Sequence, residues 1–138
     1  MIEIEINNVQ QIATILERLA NAAQDRVPLM RSIAGTMESA VLQNFDVGGR
    51  PKWLGLKCRQ GTPLVDTENL MNSITSYYDN DSAEVGTNEP YAAIHQFGGK
   101  AGRGRKVDIP ARPFLVLTPQ DEEDVLDDVQ AYFQSVMK

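Results

Sequence analysis

The residues whose chemistry could support catalysis or binding lie together at positions 91–115. They begin with Tyr-Ala-Ala-Ile-His-Gln-Phe-Gly-Gly (91–99), which contains the only histidine, His95. A basic, glycine-rich loop follows, and then Ile-Pro-Ala-Arg-Pro-Phe-Leu (109–115). An imidazole can transfer protons or bind a metal near neutral pH, and a guanidinium can bind carboxylates or phosphates. This stretch is therefore the first place to look for a function.

The sequence does not supply the partners that catalysis or metal binding would need. His95 has no second histidine, and the single cysteine, Cys58, lies far from it along the chain. No serine lies in a nucleophile-elbow motif, and the acidic run at 79–81 lacks the glycine and distal glutamate of a calcium loop. We therefore expect no catalytic residue, no metal site and no cofactor, and we interpret His95 as a hydrogen-bonded structural residue. A small hydrolase that pairs His95 with an Asp or Glu is the weaker alternative.

A short basic loop separates the histidine from the proline-containing segment. It carries Lys100, Arg103, Arg105 and Lys106 among glycines, and it lacks the Lys-Ser or Lys-Thr ending of a phosphate-binding P-loop. This composition predicts a flexible cationic arm that reaches a neighbouring subunit or an acidic surface. The alternative is a nucleic-acid-binding module that uses this loop and retains DNA in a salt-dependent way.

The charges of the chain are unevenly distributed. The net charge is −6 and the pI about 4.7, which argues against DNA binding over the whole surface. The basic loop and the acidic last segment carry opposite charges, which would let the loop of one subunit meet the acidic segment of the next. The acidic residues of the last segment are Asp121, Glu122, Glu123, Asp124, Asp127 and Asp128.

Two prolines make the Pro-Ala-Arg-Pro-Phe segment (110–114) stiff. Each proline fixes its own φ angle and favours an extended conformation in the residue before it. Because proline cannot donate to a strand ladder, the pattern predicts a strand at a sheet edge that presents Arg112 and Phe114 in set directions. Such an edge would suit a subunit interface.

Size and composition indicate a single domain over residues 1–138. The 138 residues are 42% apolar and 23% charged, as in ordinary globular proteins. No apolar run approaches the ~20 residues that span a bilayer. The N-terminus lacks the pattern of a signal peptide. We therefore expect a cytoplasmic protein with no membrane partner.

Hydrophobic periodicity predicts the first and last elements. Residues 2–6 alternate isoleucine with polar residues, which indicates an opening strand. Apolar residues at spacings of three and four predict helices over 9–23, 28–47 and 119–137, the last one capped by Thr118. The faces expected to be buried carry Val9, Ile12, Ala13, Leu16, Leu19, Ala20 and Ala23 in the first helix, and Val125, Leu126, Val129, Tyr132, Phe133, Val136 and Met137 in the last.

The middle of the chain reads as a long loop followed by short elements. Glycines and prolines over 48–66 predict the loop, and Trp53 is expected to anchor it to the core. A short helix near Leu70, a hairpin over 73–87 and a short helix over 90–97 follow. The sum is an α+β fold, in which two N-terminal helices and a C-terminal helix pack on a small, mostly antiparallel β-sheet.

Three blocks of this sequence together resemble the phage virion-morphogenesis family, the tail-completion proteins of Mu-like and related contractile-tailed phages. The first is Phe45 with Gly-Arg-Pro-Lys-Trp-Leu (49–54), and the second is Asp-Thr-Glu-Asn-Leu-Met-Asn-Ser-Ile (66–74). The third runs from Val-Gly-Thr (85–87) through His-Gln-Phe-Gly to Pro-Ala-Arg-Pro-Phe. The order of the last two motifs is the specific part of the resemblance.

The resemblance implies a non-enzymatic assembly protein that acts in tail completion or head–tail joining. It implies a ring of identical subunits that contacts other tail or head–tail connector proteins, in the host cytoplasm during assembly and then in the virion, with DNA passing nearby. In this interpretation Arg112 and Phe114 anchor the contact, while His95 and Gln96 orient their segment. The predicted interaction residues are Trp53, His95, Gln96, Phe97, Lys100, Arg103, Arg105, Lys106, Arg112 and Phe114.

Overall fold

The computed structural model describes residues 9–54, 69–101 and 107–137 of the chain. Within them lie five helices and two separate two-stranded antiparallel sheets, so the predicted α+β class is confirmed. The predicted opening strand and most of the predicted loop after Trp53 lie outside the described residues. The elements are α1 (Val9–Gln24), α2 (Val27–Val47), α3 (Asn69–Asn72), β1 (Thr75–Tyr78), β2 (Ala83–Gly86), α4 (Ala92–Phe97), β3 (Gly99–Ala101), β4 (Val107–Ile109) and α5 (Pro119–Met137).

The long helix α2 is the central element, because α5 and both strands of the first sheet pack against it. Pro28 lies in its first turn, where a missing N–H is harmless, and Gly48 ends it in the left-handed conformation (φ +76°). Its apolar side forms the core together with the residues that follow it. The buried core cluster is Val41, Phe45, Trp53, Leu70, Ile74, Ala92 and Phe114.

The first sheet is the predicted hairpin. Thr75 pairs with Gly86 and Tyr78 with Ala83, and the Asp79 carboxylate closes the turn by accepting the N–H of Asp81 at 2.8 Å. The hydrogen bonds that this carboxylate accepts from the N–H groups of Asp81 and Ser82 and from the Ser82 hydroxyl lower the pKa of Asp79. The hairpin is also tied to the start of α2. The Arg26 N–H and Nε donate to the Asn80 side chain and carbonyl, at 2.6 and 3.0 Å.

Helix α5 begins as its sequence predicts. The Thr118 hydroxyl accepts the Asp121 N–H at 3.1 Å, and the Asp121 carboxylate accepts the Thr118 N–H at 2.8 Å, so the two residues cap the helix reciprocally. The predicted apolar face is half-buried along most of its length. Leu126 is the exception, since it is 60% exposed, and its predicted burial is wrong. None of the described helices is long and apolar enough to cross a membrane.

Helix α1 forms where it was predicted but turns its apolar face the other way. Val9 is 81% exposed and Leu16 is 59% exposed, while Ile15 and Ala22 are buried. Helix α1 packs against α5, and the Tyr132 hydroxyl of α5 donates to the carbonyl of Asp25, just after α1, at 2.7 Å. Periodicity gives the apolar face of a helix but not the direction in which tertiary contacts turn it.

The predicted edge strand over the Pro-Ala-Arg-Pro-Phe segment is also wrong. Strand β4 ends at Ile109, and residues 110–114 belong to no sheet. The two prolines have no N–H to donate, and the N–H of Arg112 bonds to the His95 carbonyl at 2.7 Å instead of to a strand. The segment is therefore held by specific contacts rather than by a ladder.

The turn after α2 contains a glycine that no other residue can replace without strain. Gly49 has φ +102°, and a Cβ there would lie 2.6 Å from the Trp53 ring. We predict that Gly49→Ala lowers the free energy of unfolding by about 2–4 kcal/mol, because it adds both backbone strain and overpacking.

Gly35 is the matched control. It lies within α2, and a Cβ there would meet nothing within 4 Å. Gly35→Ala should therefore raise stability by about 0.5–1 kcal/mol. Urea unfolding of both variants measures the difference, and equal effects at the two glycines would contradict the role given to Gly49.

Candidate interaction site

The Pro-Ala-Arg-Pro-Phe segment is held from one side by α4. The Gln96 side-chain oxygen accepts the N–H groups of Phe114 and Leu115, at 3.0 and 2.9 Å. The preceding carbonyl, that of His95, accepts the N–H of Arg112. One side-chain amide and one carbonyl thus satisfy three backbone donors. His95 and Gln96 therefore both bond this segment, His95 through its backbone carbonyl and Gln96 through its side chain.

The turn that follows α2 holds the same segment from the other side. The Trp53 indole N–H donates to the Pro113 carbonyl at 3.0 Å, and the Arg112 Nε donates to the Leu54 carbonyl at 3.0 Å. Phe45 packs between the rings of Trp53 and Phe114, at centroid distances of 5.8 and 5.4 Å. Trp53 therefore anchors its turn to the core, as predicted.

A buried polar network ties this arrangement to α2 and α5. Asn44 donates its side-chain amide to the carbonyls of Phe114 and Val116, at 2.7 and 3.2 Å. Its oxygen accepts the Arg50 Nε at 2.7 Å. The Arg50 guanidinium then bonds both oxygens of the Asp121 carboxylate, at 3.1 and 2.7 Å. A fork of this kind fixes direction as well as distance.

The Asp121 carboxylate is stabilised in its charged form. Burial by itself would raise the pKa, but the hydrogen bonds from Arg50 and Thr118 outweigh it and lower the pKa below the ordinary 3.8. The stability that this group contributes is therefore present above that value and is lost as the pH falls below it.

Three of the predicted interaction residues are buried in the chain itself. Phe114 is fully buried, and Trp53 and Arg112 are each only 8% exposed. None of the three side chains is presented at the surface, because each serves the packing of its own segment. Phe97, at 78% exposure, and Lys100 are exposed and can meet a partner. The other basic-loop residues, Arg103, Arg105 and Lys106, lie outside the described residues.

An open cleft of about 650 Å³ lies beside the held segment. Its walls are mainly apolar, and the exposed side chains of Lys52 and Leu54 stand on one of them. Sequence reasoning did not locate this cleft, because its two walls are 57 or more positions apart. The lining includes Pro51, Lys52, Trp53 and Leu54 from the turn, and Ala111, Pro113, Val116 and Leu117 from the segment before α5.

The His95 ring lies at the edge of this arrangement. Its Nδ1 is buried without a hydrogen-bond partner, and its ring meets that of Tyr91 edge to face at 5.7 Å. The interpretation of His95 as a hydrogen-bonded residue therefore holds for its carbonyl but not for Nδ1. Burial lowers the pKa of the imidazole, and the nearby charge of Arg112 lowers it further. Among the described residues, no cluster of three or more His, Cys, Asp or Glu side chains has the geometry of a metal site.

Sequence reasoning overlooked the network of Asn44, Arg50 and Asp121. Asn44 gave one signal of the network in the sequence. Asn44 falls three residues after Val41 on the apolar side of α2, where a polar side chain must find a buried partner. Neither its partners nor the pairing of Arg50 with a residue 71 positions away follows from local pattern.

Comparisons with known proteins agree on one family. The profile of the phage virion morphogenesis family matches residues 7–134. Mu-like prophage FluMu G protein 2 of Haemophilus influenzae is 77% identical over 138 residues, covering both chains completely. The putative capsid assembly protein G of Escherichia phage Mu is 27% identical over 147 residues, covering 95% of this chain and 94% of its own. No solved structure matches.

The buried ion pair generates a prediction about stability. Asp121→Asn keeps the shape of the side chain but leaves the Arg50 guanidinium buried without its counter-charge, so we expect a loss of about 2 kcal/mol. Asp127→Asn, at an exposed position of the same helix, should change stability by less than about 0.5 kcal/mol. Urea unfolding at neutral pH measures both. A similarly small effect at the two positions would show that the network of Asn44, Arg50 and Asp121 does not contribute to the stability of the fold.

The lowered pKa of His95 predicts a pH dependence. The unfolded chain takes up a proton near the ordinary pKa of 6.5, whereas the folded chain resists it. The contribution of this group is thus present above 6.5 and is lost as the pH falls. Wild type should therefore lose more stability than His95→Gln between about pH 7.5 and about pH 5. Urea midpoints that fall equally in the two proteins would contradict this assignment.

Proposed function

Because the chain belongs to the phage virion morphogenesis family, we propose that it is a non-enzymatic assembly protein that completes the tail or joins it to the head. In this proposal it acts as a ring of identical subunits that also contacts other tail or head–tail connector proteins. It works in the host cytoplasm during assembly and remains in the virion. The name of the phage Mu relative, a capsid assembly protein, supports a position near the head.

The observation that carries the proposal is the rigidly held segment beside the open cleft. A rigid surface loses little conformational freedom when it binds, so more of the contact energy appears as affinity. The cleft offers apolar walls, and Leu54 on its rim is 67% exposed. Such a surface suits an apolar side chain from another protein better than a small polar substrate.

The distribution of charge supports contact between unlike surfaces of neighbouring subunits. Lys52 in the turn after α2 and Lys100 in β3 are exposed, and α5 exposes Glu122, Glu123 and Asp127. When two different surfaces of the same chain meet, repeated contacts generate a closed ring if the rotation between subunits allows it. Opposite charges would steer the subunits together and fix their order.

The environment of His95 gives the hydrolase alternative no support. The contacts of its ring in the described structure are with the Tyr91 ring and with the charge of Arg112. A general base needs a position within hydrogen-bond reach of the proton that it removes. The buried Nδ1 has no Asp or Glu partner among the described residues, so a base acting through Nε2 would lack the carboxylate that orients its ring. A structural role is therefore the simpler interpretation.

Phe97 tests the exposed side of α4, the helix whose Gln96 holds the segment beside the cleft. The variant Phe97→Ser is supplied to a Mu-like prophage from which the gene has been deleted, and infectious particles are counted. We expect at least about a tenfold loss, because exposed aromatic residues at contacts carry much of the binding energy. The fold should be unaffected, since the side chain is 78% exposed.

Tyr77→Ser is the matched control. This aromatic side chain is 60% exposed on β1, a strand that pairs with β2 and packs against α2. Its removal should leave particle yield and melting temperature near those of wild type. Equal yields from Phe97→Ser and wild type would reject the exposed side of α4 as a contact. Normal infectivity without the gene would reject the proposed function itself.

A further inference from the structure

Helix α1 turns a continuous apolar face toward solvent. Along this face Val9 is 81% exposed, Leu16 59% and Ile12 37%. Amphipathic helices of soluble proteins normally place such a face against another element, and contiguous apolar surface commonly marks a contact site. The face consists of Val9, Ile12, Ala13, Leu16, Ala20 and Ala23.

The exposed face carries no charge. Glu17 and Arg18 are the charged residues of α1, and at 100° per residue they lie roughly 90° and 170° from the centre of the face. The helix therefore has no net side-chain charge. Two copies of α1 can approach each other without the repulsion that two acidic α5 helices would meet.

The sizes of the side chains on this face are complementary about Leu16. Val9 lies seven residues before it and Ala23 seven residues after it, while Ile12 and Ala20 lie four residues to either side. In an antiparallel pair of helices centred on Leu16, Val9 of one copy meets Ala23 of the other and Ile12 meets Ala20, while the two Leu16 side chains meet at the axis. A parallel pair would oppose valine to valine and alanine to alanine, leaving crowding at one end and a gap at the other.

We propose that α1 pairs with α1 of a second copy, antiparallel, with a two-fold axis beside Leu16. The contact uses the same surface on both copies and so closes at two subunits. It is thus different from the ring contact proposed above and does not depend on it. A helix of this length is about 24 Å long, and one such pair buries less than the ~1,600 Å² of a stable interface, so the dimer should dissociate on dilution.

The first experiment compares two exposed leucines. Leu16→Gln should weaken self-association of the free protein at least about tenfold in sedimentation velocity over a concentration series. Leu42→Gln changes a leucine of α2 that is 38% exposed, and it should leave association unchanged. Wild type that stays monomeric, or an equal effect of both variants, overturns the proposal. A lower melting temperature of Leu16→Gln at unchanged mass also overturns it, since the face would then be covered by the variant's own chain.

The second experiment tests the register. In a Cys58→Ser background, a short bismaleimide should cross-link Leu16→Cys to itself efficiently, because the two positions meet at the axis. Val9→Cys should not cross-link to itself, since the two copies lie about 21 Å apart. It should cross-link to Ala23→Cys when the two variants are mixed. Efficient self-coupling at Val9 with none at Leu16 would reject the antiparallel pair, whatever the outcome for the ring.

Discussion

The ion pair between Arg50 and Asp121 is the interaction on which the rest of the arrangement depends. Its atoms approach to 2.7 Å, and both side chains are largely removed from water. A buried guanidinium is tolerated only when its donors are satisfied, and here Asn44, Ala40 and Asp121 accept them. The pair therefore fixes the end of α2, the turn after it and the start of α5 relative to one another.

This frame determines what the surface can offer. The Pro-Ala-Arg-Pro-Phe segment has no strand ladder, so its position depends on side chains from three elements: Gln96 of α4, Trp53 of the turn and Asn44 of α2. Each of them forms hydrogen bonds with this segment, and Asn44 also accepts one from Arg50. The result is a fixed wall for the cleft, while residues such as Phe97 remain outside the packing and are available to a partner.

Local sequence pattern was sufficient to predict where the helices lie but not which side of each helix is buried. Periodicity, Thr118 as a cap and Gly48 as a stop predicted α1, α2 and α5, because these signals act within a few residues. The predicted orientation of α1 was wrong, because contacts with α5, more than 100 residues away along the chain, decide it. The motif residues Arg112 and Phe114 were found, but chemistry alone suggested a surface role where packing has buried them.

The way Gln96 holds its segment also determines how the protein can be recognised. Pro110 and Pro113 have no N–H, and those of Arg112, Phe114 and Leu115 are already bonded within the chain. An extended peptide could not add to this segment as another strand, because almost no backbone donor remains for it. A partner can therefore recognise this segment only through its side chains. Strand addition is blocked along residues 110–115, so this segment cannot start open-ended association through its backbone.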